Sequence, residues 1–292
     1  MKNGNGPEGP QDCNDLMGEI GFQWFKLEDI YSLKNLPCEN PFMSHRIQFF
    51  TLLLLTEGKI RHDVDFIPYT LDRGYCLFIS PEQIHKFYKS TKGGGYVLSF
   101  TEDFIHRNFS RSSFSKINFL SNYFLNPSIF KDFGDIEIFM SALERELSLD
   151  LGIIKENLIA SMLTVFLLKA QLYAEGSMKS YQGDFETFSK FQKLVSNYHK
   201  ESRSVKHYAN LLNISYKQLN NLSKGFTQRT AKEYINDYII LEIKRNLATT
   251  DFSIKEMAYE YGFKEGTNLT KFFKRATGDT PMKFKEIRLR NR

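Results

Sequence analysis

The sequence predicts an α+β chain in two parts: an N-terminal antiparallel β-barrel followed by helices, and a C-terminal all-α domain built from a duplicated helix-turn-helix. Three observations lead there. Residues 40–100 break into short apolar segments separated by turn residues, the pattern becomes helical after Glu102, and a motif starting at Val205 recurs 49 residues later within a basic segment. With 292 residues, the chain can form about two domains of ~150 residues, each with its own core.

Met1–Asn14 is rich in Gly, Asn and Pro with no apolar core, so it is not a secretory signal, and residues 1–20 are expected to be a flexible tail. Strand-like segments follow at Arg46–Leu55, Lys59–Asp65, Phe66–Tyr69, Gly74–Ile79, Ile84–Lys89 and Gly95–Phe100. Glu57-Gly58-Lys59 reads as the turn closing the first of them, and Gly93-Gly94-Gly95 as a mobile turn. Many short strands with close turns suit an antiparallel barrel or sandwich, and 27 Phe supply a bulky core.

Thr101-Glu102-Asp103 has the residue types of a helix start. Ile136–Leu149 and Lys155–Ala174 read as longer helices. The second is apolar over so much of its girth that it needs cover on more than one side. Both core packing and a dimer interface meet that need. Residues 176–185 are small and polar and read as a linker, so residues 21–175 form one domain and 186–292 another.

Charge separates the two. Residues 190–292 hold 21 Lys and Arg against 10 Asp and Glu, a balance of +11, while 1–189 carry −6, giving the chain its +5. Such asymmetry is expected where one part meets a polyanion and the other does not. No apolar run reaches the ~20 residues of a membrane helix, so no membrane partner is expected. Cys13, Cys38 and Cys76 lack CxxC spacing and are odd in number, which favours free thiols in a reducing cytoplasm and leaves a bridge as the minor alternative.

The repeat carries the functional signal. Val205-Lys-His-Tyr208-Ala209-Asn-Leu-Leu212-Asn213-Ile214 aligns with Ile254-Lys-Glu-Met257-Ala258-Tyr-Glu-Tyr261-Gly262-Phe263. Ala209 and Ala258 are small where a second helix crosses closely. Asn213 and Gly262 tolerate a left-handed backbone at a helix end. A second helix follows each turn, which sets helix-turn-helix motifs at 204–226 and 253–278. Outward from the first second-helix point Lys217, Asn220, Asn221 and Lys224; from the other, Thr267, Asn268, Thr270, Lys271 and Lys274. Asn pairs bidentately with adenine and Lys reaches guanine or phosphate, so these faces suit the major groove of duplex DNA. Ala231–Leu247 reads as a helical strut joining the motifs, of a length suited to successive major grooves ~34 Å apart.

On these residues, about a third of the chain resembles the DNA-binding domain of the AraC/XylS family of bacterial transcription regulators. The resemblance rests on Ala209–Ser215, Glu233-Tyr-Ile-Asn-Asp-Tyr238, Thr250–Ala258, Tyr261-Gly262-Phe263 and Phe272-Phe273-Lys274-Arg275-Ala-Thr-Gly278-Asp-Thr-Pro281. It implies two lobes on promoter DNA, usually as a homodimer, with an effector-responsive N-terminal domain, and it adds Ser215 to the base-facing set. It also implies a regulator acting on the nucleoid, in contact with RNA polymerase when it activates. The chain departs from the family at Gln228, where a Gly is usual, and at Tyr238, Ile243 and Leu269.

The strand-rich segment, with Asp65-Phe66-Ile67-Pro68-Tyr69 and Pro81-Glu82-Gln83-Ile84-His85, is similar to cupin-like sensor domains. Metal-binding cupins use a His-x-His pair, whereas His45, His62, His85 and His106 are scattered here, so neither a metal nor a cofactor is expected. No catalytic motif or phosphate-binding loop is present, so no catalytic residue is assigned. The N-terminal domain is expected to take a small-molecule effector or a partner, or to serve dimerisation alone. A cupin enzyme with a helical tail is the remaining alternative.

Overall fold

A computed structural model describes residues 17, 20–32, 40–89, 92–110, 113, 117, 128–131, 136–149, 152–175 and 184–290. Most of the expected tail and of the expected linker, with Cys13 and Cys38, lie outside the described residues, but Met17, within that tail, is buried in the core of the first unit. The chain divides into two compact units, Met1–Ile117 with Pro127–Ala174, and Asn118–Asn126 with Glu175–Arg292.

The first unit holds eight strands among its described residues: β1 (Phe22–Lys26), β2 (His45–Arg46), β3 (Phe50–Val64), β4 (Ile67–Asp72), β5 (Cys76–Ile79), β6 (Ile84–Phe87), β7 (Lys92–Phe100) and β8 (Ser128–Phe130). Its helices are α1 (Leu27–Ser32), α2 (Glu102–Asn108), α3 (Ile136–Leu147) and α4 (Lys155–Glu175). All pairings are antiparallel. The main path runs β1-β7-β3-β5-β8, with β4 and β6 also on β3 and β2 on β6. This sheet is open; its described ladders do not close the barrel that the sequence led us to expect.

β3 organises the unit, and it corrects two sequence expectations. Glu57-Gly58-Lys59 is not a turn: β3 runs through it, with a register shift between Leu55 and Glu57 against β7. Gly58 takes φ 69° there, and such a bulge bends a strand without ending it. Opposite the bulge, Gly93, Gly94 and Gly95 are strand residues of β7, not a mobile turn. A Cβ on Gly95 would lie 2.1 Å from the Leu54 carbonyl oxygen, so the two backbones approach more closely than a side chain allows. The true reversal is at Asp65-Phe66, both at positive φ (47° and 72°), which joins β3 to β4 in a two-residue hairpin.

The strand pairing also gathers residues the sequence scatters. His45 of β2 lies opposite His85 of β6, and β6 pairs β3 beside His62. His62 Nε2 and His85 Nδ1 share a hydrogen bond of 3.1 Å, and the His45 and His85 ring centroids are 4.3 Å apart. His62 is fully buried, and its Nδ1, like His85 Nε2, has no hydrogen-bond partner. Burial lowers the pKa of all three, that of His62 to about 3, with the neighbouring imidazoles adding to the effect on His62 and His85. Among the described residues, no group of His, Cys, Asp or Glu is arranged to hold a metal ion. His106 stands apart on α2, beside Glu102. The free Cys76 thiol is buried, and burial raises its pKa.

Thr101 caps α2 by accepting from the Phe104 N–H at 3.0 Å, which explains why the helix starts there. No described helix is long and apolar enough to cross a membrane.

The second unit is helical throughout its described residues: α5 (Phe185–Tyr198), α6 (Val205–Leu211), α7 (Tyr216–Thr227), α8 (Ala231–Thr249), α9 (Ile254–Glu260), α10 (Gly266–Thr277) and α11 (Pro281–Arg290). α8 is the strut, 19 residues or ~28 Å long at 1.5 Å per residue. It buries Tyr234, Ile235, Tyr238, Ile239, Ile243 and Leu247 within one continuous core that Phe188, Phe191, Leu219, Leu269 and Phe273 complete. A charged pair is buried in it too: Arg245 donates to Glu242 at 2.5 Å. Tyr238, one of the departures noted above, is buried with its ring edge-on to His199 and donates to the Ser196 hydroxyl at 3.2 Å.

Candidate nucleic-acid interface

The two turns of the repeat are built by the same backbone hydrogen bonds. The Ile214 N–H donates to the Ala209 carbonyl at 3.0 Å, and the Phe263 N–H to that of Ala258 at 2.8 Å. Bonds from Leu212 to Tyr208 and from Asn213 to Asn210 recur as Tyr261 to Met257 and Gly262 to Tyr259, each at 3.1 Å. Asn213 (φ 54°) and Gly262 (φ 65°) are both left-handed, as the sequence predicts. Ala209 and Ala258 are both buried.

The repeat extends past the second helices. α7 ends at Gln228 (φ 59°) and α10 at Gly278 (φ 84°), both left-handed caps. Behind each cap a threonine closes the end, since Thr227 bonds the Ser223 and Arg229 carbonyls and Thr277 those of Phe273 and Asp279. Gln228 thus adopts the conformation that glycine takes more cheaply, and it is exposed. Gln228→Gly should raise the stability of this unit by about 0.5–1 kcal/mol, read by urea unfolding. A destabilised variant would mean that the Gln228 side chain makes a needed contact.

Of the residues expected to face a groove, Lys217, Asn221 and Lys224 on α7 and Thr267, Asn268, Lys271 and Lys274 on α10 are exposed. Thr270 is half-buried. Ser215 is the N-cap of α7: its hydroxyl accepts from the Gln218 N–H at 3.2 Å, and Gln218 returns a bond to the Ser215 N–H. The hydroxyl proton stays available to a phosphate oxygen. Asn220 differs from the rest. Its Oδ1 accepts from the Ala231 N–H at 3.0 Å and its Nδ2 donates to the Tyr216 carbonyl at 3.2 Å, so the amide straps α7 to the start of α8. Its outward position in the helical repeat hid this role, because the partner lies on another helix.

Sequence reasoning also passed over two residues on these helices. Tyr216, the first residue of α7, is 56% exposed. Its place directly after the Ser215 cap was the available signal. Glu265 is the N-cap of α10, makes no side-chain cap bond and accepts from the Thr267 hydroxyl at 3.0 Å. An exposed carboxylate thus stands on an otherwise basic face. It can accept from the amino group of cytosine and disfavours a phosphate there.

Comparison with known proteins bears on the same region. Residues 208–287 match a family described as a helix-turn-helix domain. The probable transcription factor PqrA of Proteus vulgaris is 35% identical over 78 residues, which are 27% of this chain and 64% of that protein. The match thus covers less than two-thirds of that curated relative's length. Among solved structures, ToxT from Vibrio cholerae O395 aligns over 91% of this chain and 98% of its own, with 13% identity and a TM-score of 0.44. A transcriptional regulator with an AraC-type DNA-binding domain from Chromobacterium violaceum aligns over 35% of this chain and 92% of its own, with 19% identity and a TM-score of 0.33.

Proposed function

We propose that this chain is a sequence-specific transcription regulator that reads duplex promoter DNA with α7 and α10 in successive major grooves. The observation that carries the reading is the duplicated lobe itself. Two turns share their backbone bonds, each presents an exposed polar helix, and both lie in the segment with a balance of +11. Amide and ammonium groups on the helices supply base readout, and the surrounding Lys and Arg supply the phosphate term. No catalytic step is needed.

The N-terminal unit is read as the part that controls the output. An opening of about 780 Å³ beside the β3 bulge is lined by Glu28, Tyr31, Phe42, Glu57 and Lys89. That is the size of small-molecule sites, and it is where we assign an effector. Dimerisation is assigned to α4. Leu158, Val165 and Leu172 repeat every seven residues with Leu168 between them, and Val165 and Leu172 are 57% and 69% exposed. That spacing forms a seam a second copy can cover. RNA polymerase contact belongs to the same reading.

Selection of duplexes from a random library by the full chain, followed by binding at several salt concentrations, tests the proposal. Enrichment of a two-box motif is expected, with affinity falling steeply as salt rises. Recovery of random sequence would end the reading. Asn221→Ala should cost about 1–3 kcal/mol of discrimination at one base position, and Lys271→Ala should weaken every sequence alike and lower the salt slope by about one. Both residues are exposed, so melting temperatures should stay within a degree or two of the parent. A large drop in melting would mean that the residue serves folding rather than binding.

A further inference from the structure

The strut sets the distance between the two lobes, and the segment between α5 and α6 adds contacts that bear on how they are held. Lys200 forms an ion pair with Glu260 of α9. Its carbonyl oxygen lies against the turn of the second lobe, where a Cβ on Gly262 would be only 2.9 Å away. The Arg203 carbonyl accepts from Lys232 of α8 at 2.7 Å. The Arg203 guanidinium lies 4.0 Å from the ring centroid of Phe263 and 6.0 Å from that of Phe272. Two residues leading into the first lobe, Lys200 and Arg203, thus touch the strut, the second turn and the second recognition helix.

Phe263 and Phe272 are the rings that set α10 against its turn, with centroids 5.3 Å apart. We infer that Arg203 is a positioning residue whose stacking on this pair holds the two recognition helices at one separation, so that the chain demands one spacing between its two DNA boxes. The inference rests on the DNA-binding reading above. Arginine suits the task because its planar group lies flat on a ring, which a lysine ammonium cannot do. A fixed separation matters because two linked readers gain 10²–10⁴ in affinity only where both engage at once. One inserted base pair moves the second box by ~3.4 Å and turns it by ~34°, beyond what a rigid pair accommodates.

The test uses the full chain and the duplex it enriches from a random library, with and without one base pair inserted between the boxes. The parent should lose about 50-fold or more on insertion, and Arg203→Ala and Arg203→Lys only about 5-fold. Each protein is compared with itself, so any loss of folded fraction cancels. A parent-like ratio in Arg203→Lys would identify a phosphate contact and overturn the proposal. An unchanged ratio in both variants would overturn it as well, while leaving the DNA-binding reading intact. If the parent enriches no duplex at all, that reading fails and this one with it.

Discussion

Gly262→Ala is expected to destabilise the helical unit by about 2–4 kcal/mol, the largest effect of any one-carbon change in the repeat. Two causes add. Gly262 sits at φ 65°, where a side chain costs about 1–2 kcal/mol. Its new Cβ would also press on the Lys200 carbonyl oxygen at 2.9 Å, a backbone atom that yields only if the segment before α6 moves. Gly266→Ala is the matched control. Its Cβ would meet nothing nearer than 3.7 Å, and at the first position of α10 it should be neutral or stabilise by less than about 1 kcal/mol. Urea unfolding of the full chain, followed by circular dichroism, reads both. A cost below about 1 kcal/mol for Gly262→Ala would mean that the close approach is absent. The same variant should loosen box spacing, because it pushes the Lys200–Arg203 segment off the second turn.

Acid is expected to unfold the N-terminal unit well before the helical one. In the fold, His45, His62 and His85 are held neutral by burial, with pKa values below 6.5 and that of His62 at about 3. None hydrogen-bonds a carboxylate: His45 bonds the Met43 carbonyl, and His62 and His85 bond each other. The nearby acids are engaged elsewhere, Asp63 with Tyr88 and Asp65 with Gln83. Below pH ~6.5 the unfolded histidines take up protons that the folded ones refuse, so stability falls as pH falls and is level above that point. A histidine whose folded pKa lies well below the pH contributes at most about 1.4 kcal/mol per pH unit, the limit that His62 approaches.

Trp24, the sole tryptophan, lies on β1 6.1 Å from the Tyr96 ring, so its fluorescence reports this unit separately. The midpoint in urea should fall sharply between pH 7 and 5.5, and His62→Phe should flatten that dependence. An unfolding midpoint independent of pH would refute a neutral buried cluster.

Legibility in the sequence followed the range of the interaction. Asn213 and Gly262 were readable as turn residues because a left-handed backbone favours few residue types, and the requirement acts within a turn. Ala209 and Ala258 were readable as interior positions because a small residue recurs at the same place in both copies of the motif, and both are buried. Thr101 announced α2 for the same local reason. The strands were harder. Glu57-Gly58-Lys59 has the residues of a turn, and only the partner strand, with its three glycines, decides that β3 continues through a bulge. Asn220 has the residue type and position of a base reader, and only the start of α8 claims its amide.

The amino-acid sequence by itself determined the division into an acidic and a basic part, the duplicated helix-turn-helix and the polar helices that carry the proposed readout. Residue types at fixed short spacings settle all three. Tertiary structure alone decided the histidine cluster, the open path of the sheet and the stacking of Arg203 on Phe263 and Phe272. His62 and His85 are 23 residues apart and Arg203 and Phe263 are 60 apart, so neither contact leaves a periodic trace in the chain. Both exist only once the sheet and the helical core have brought distant segments together, and the burial that follows gives them their chemistry.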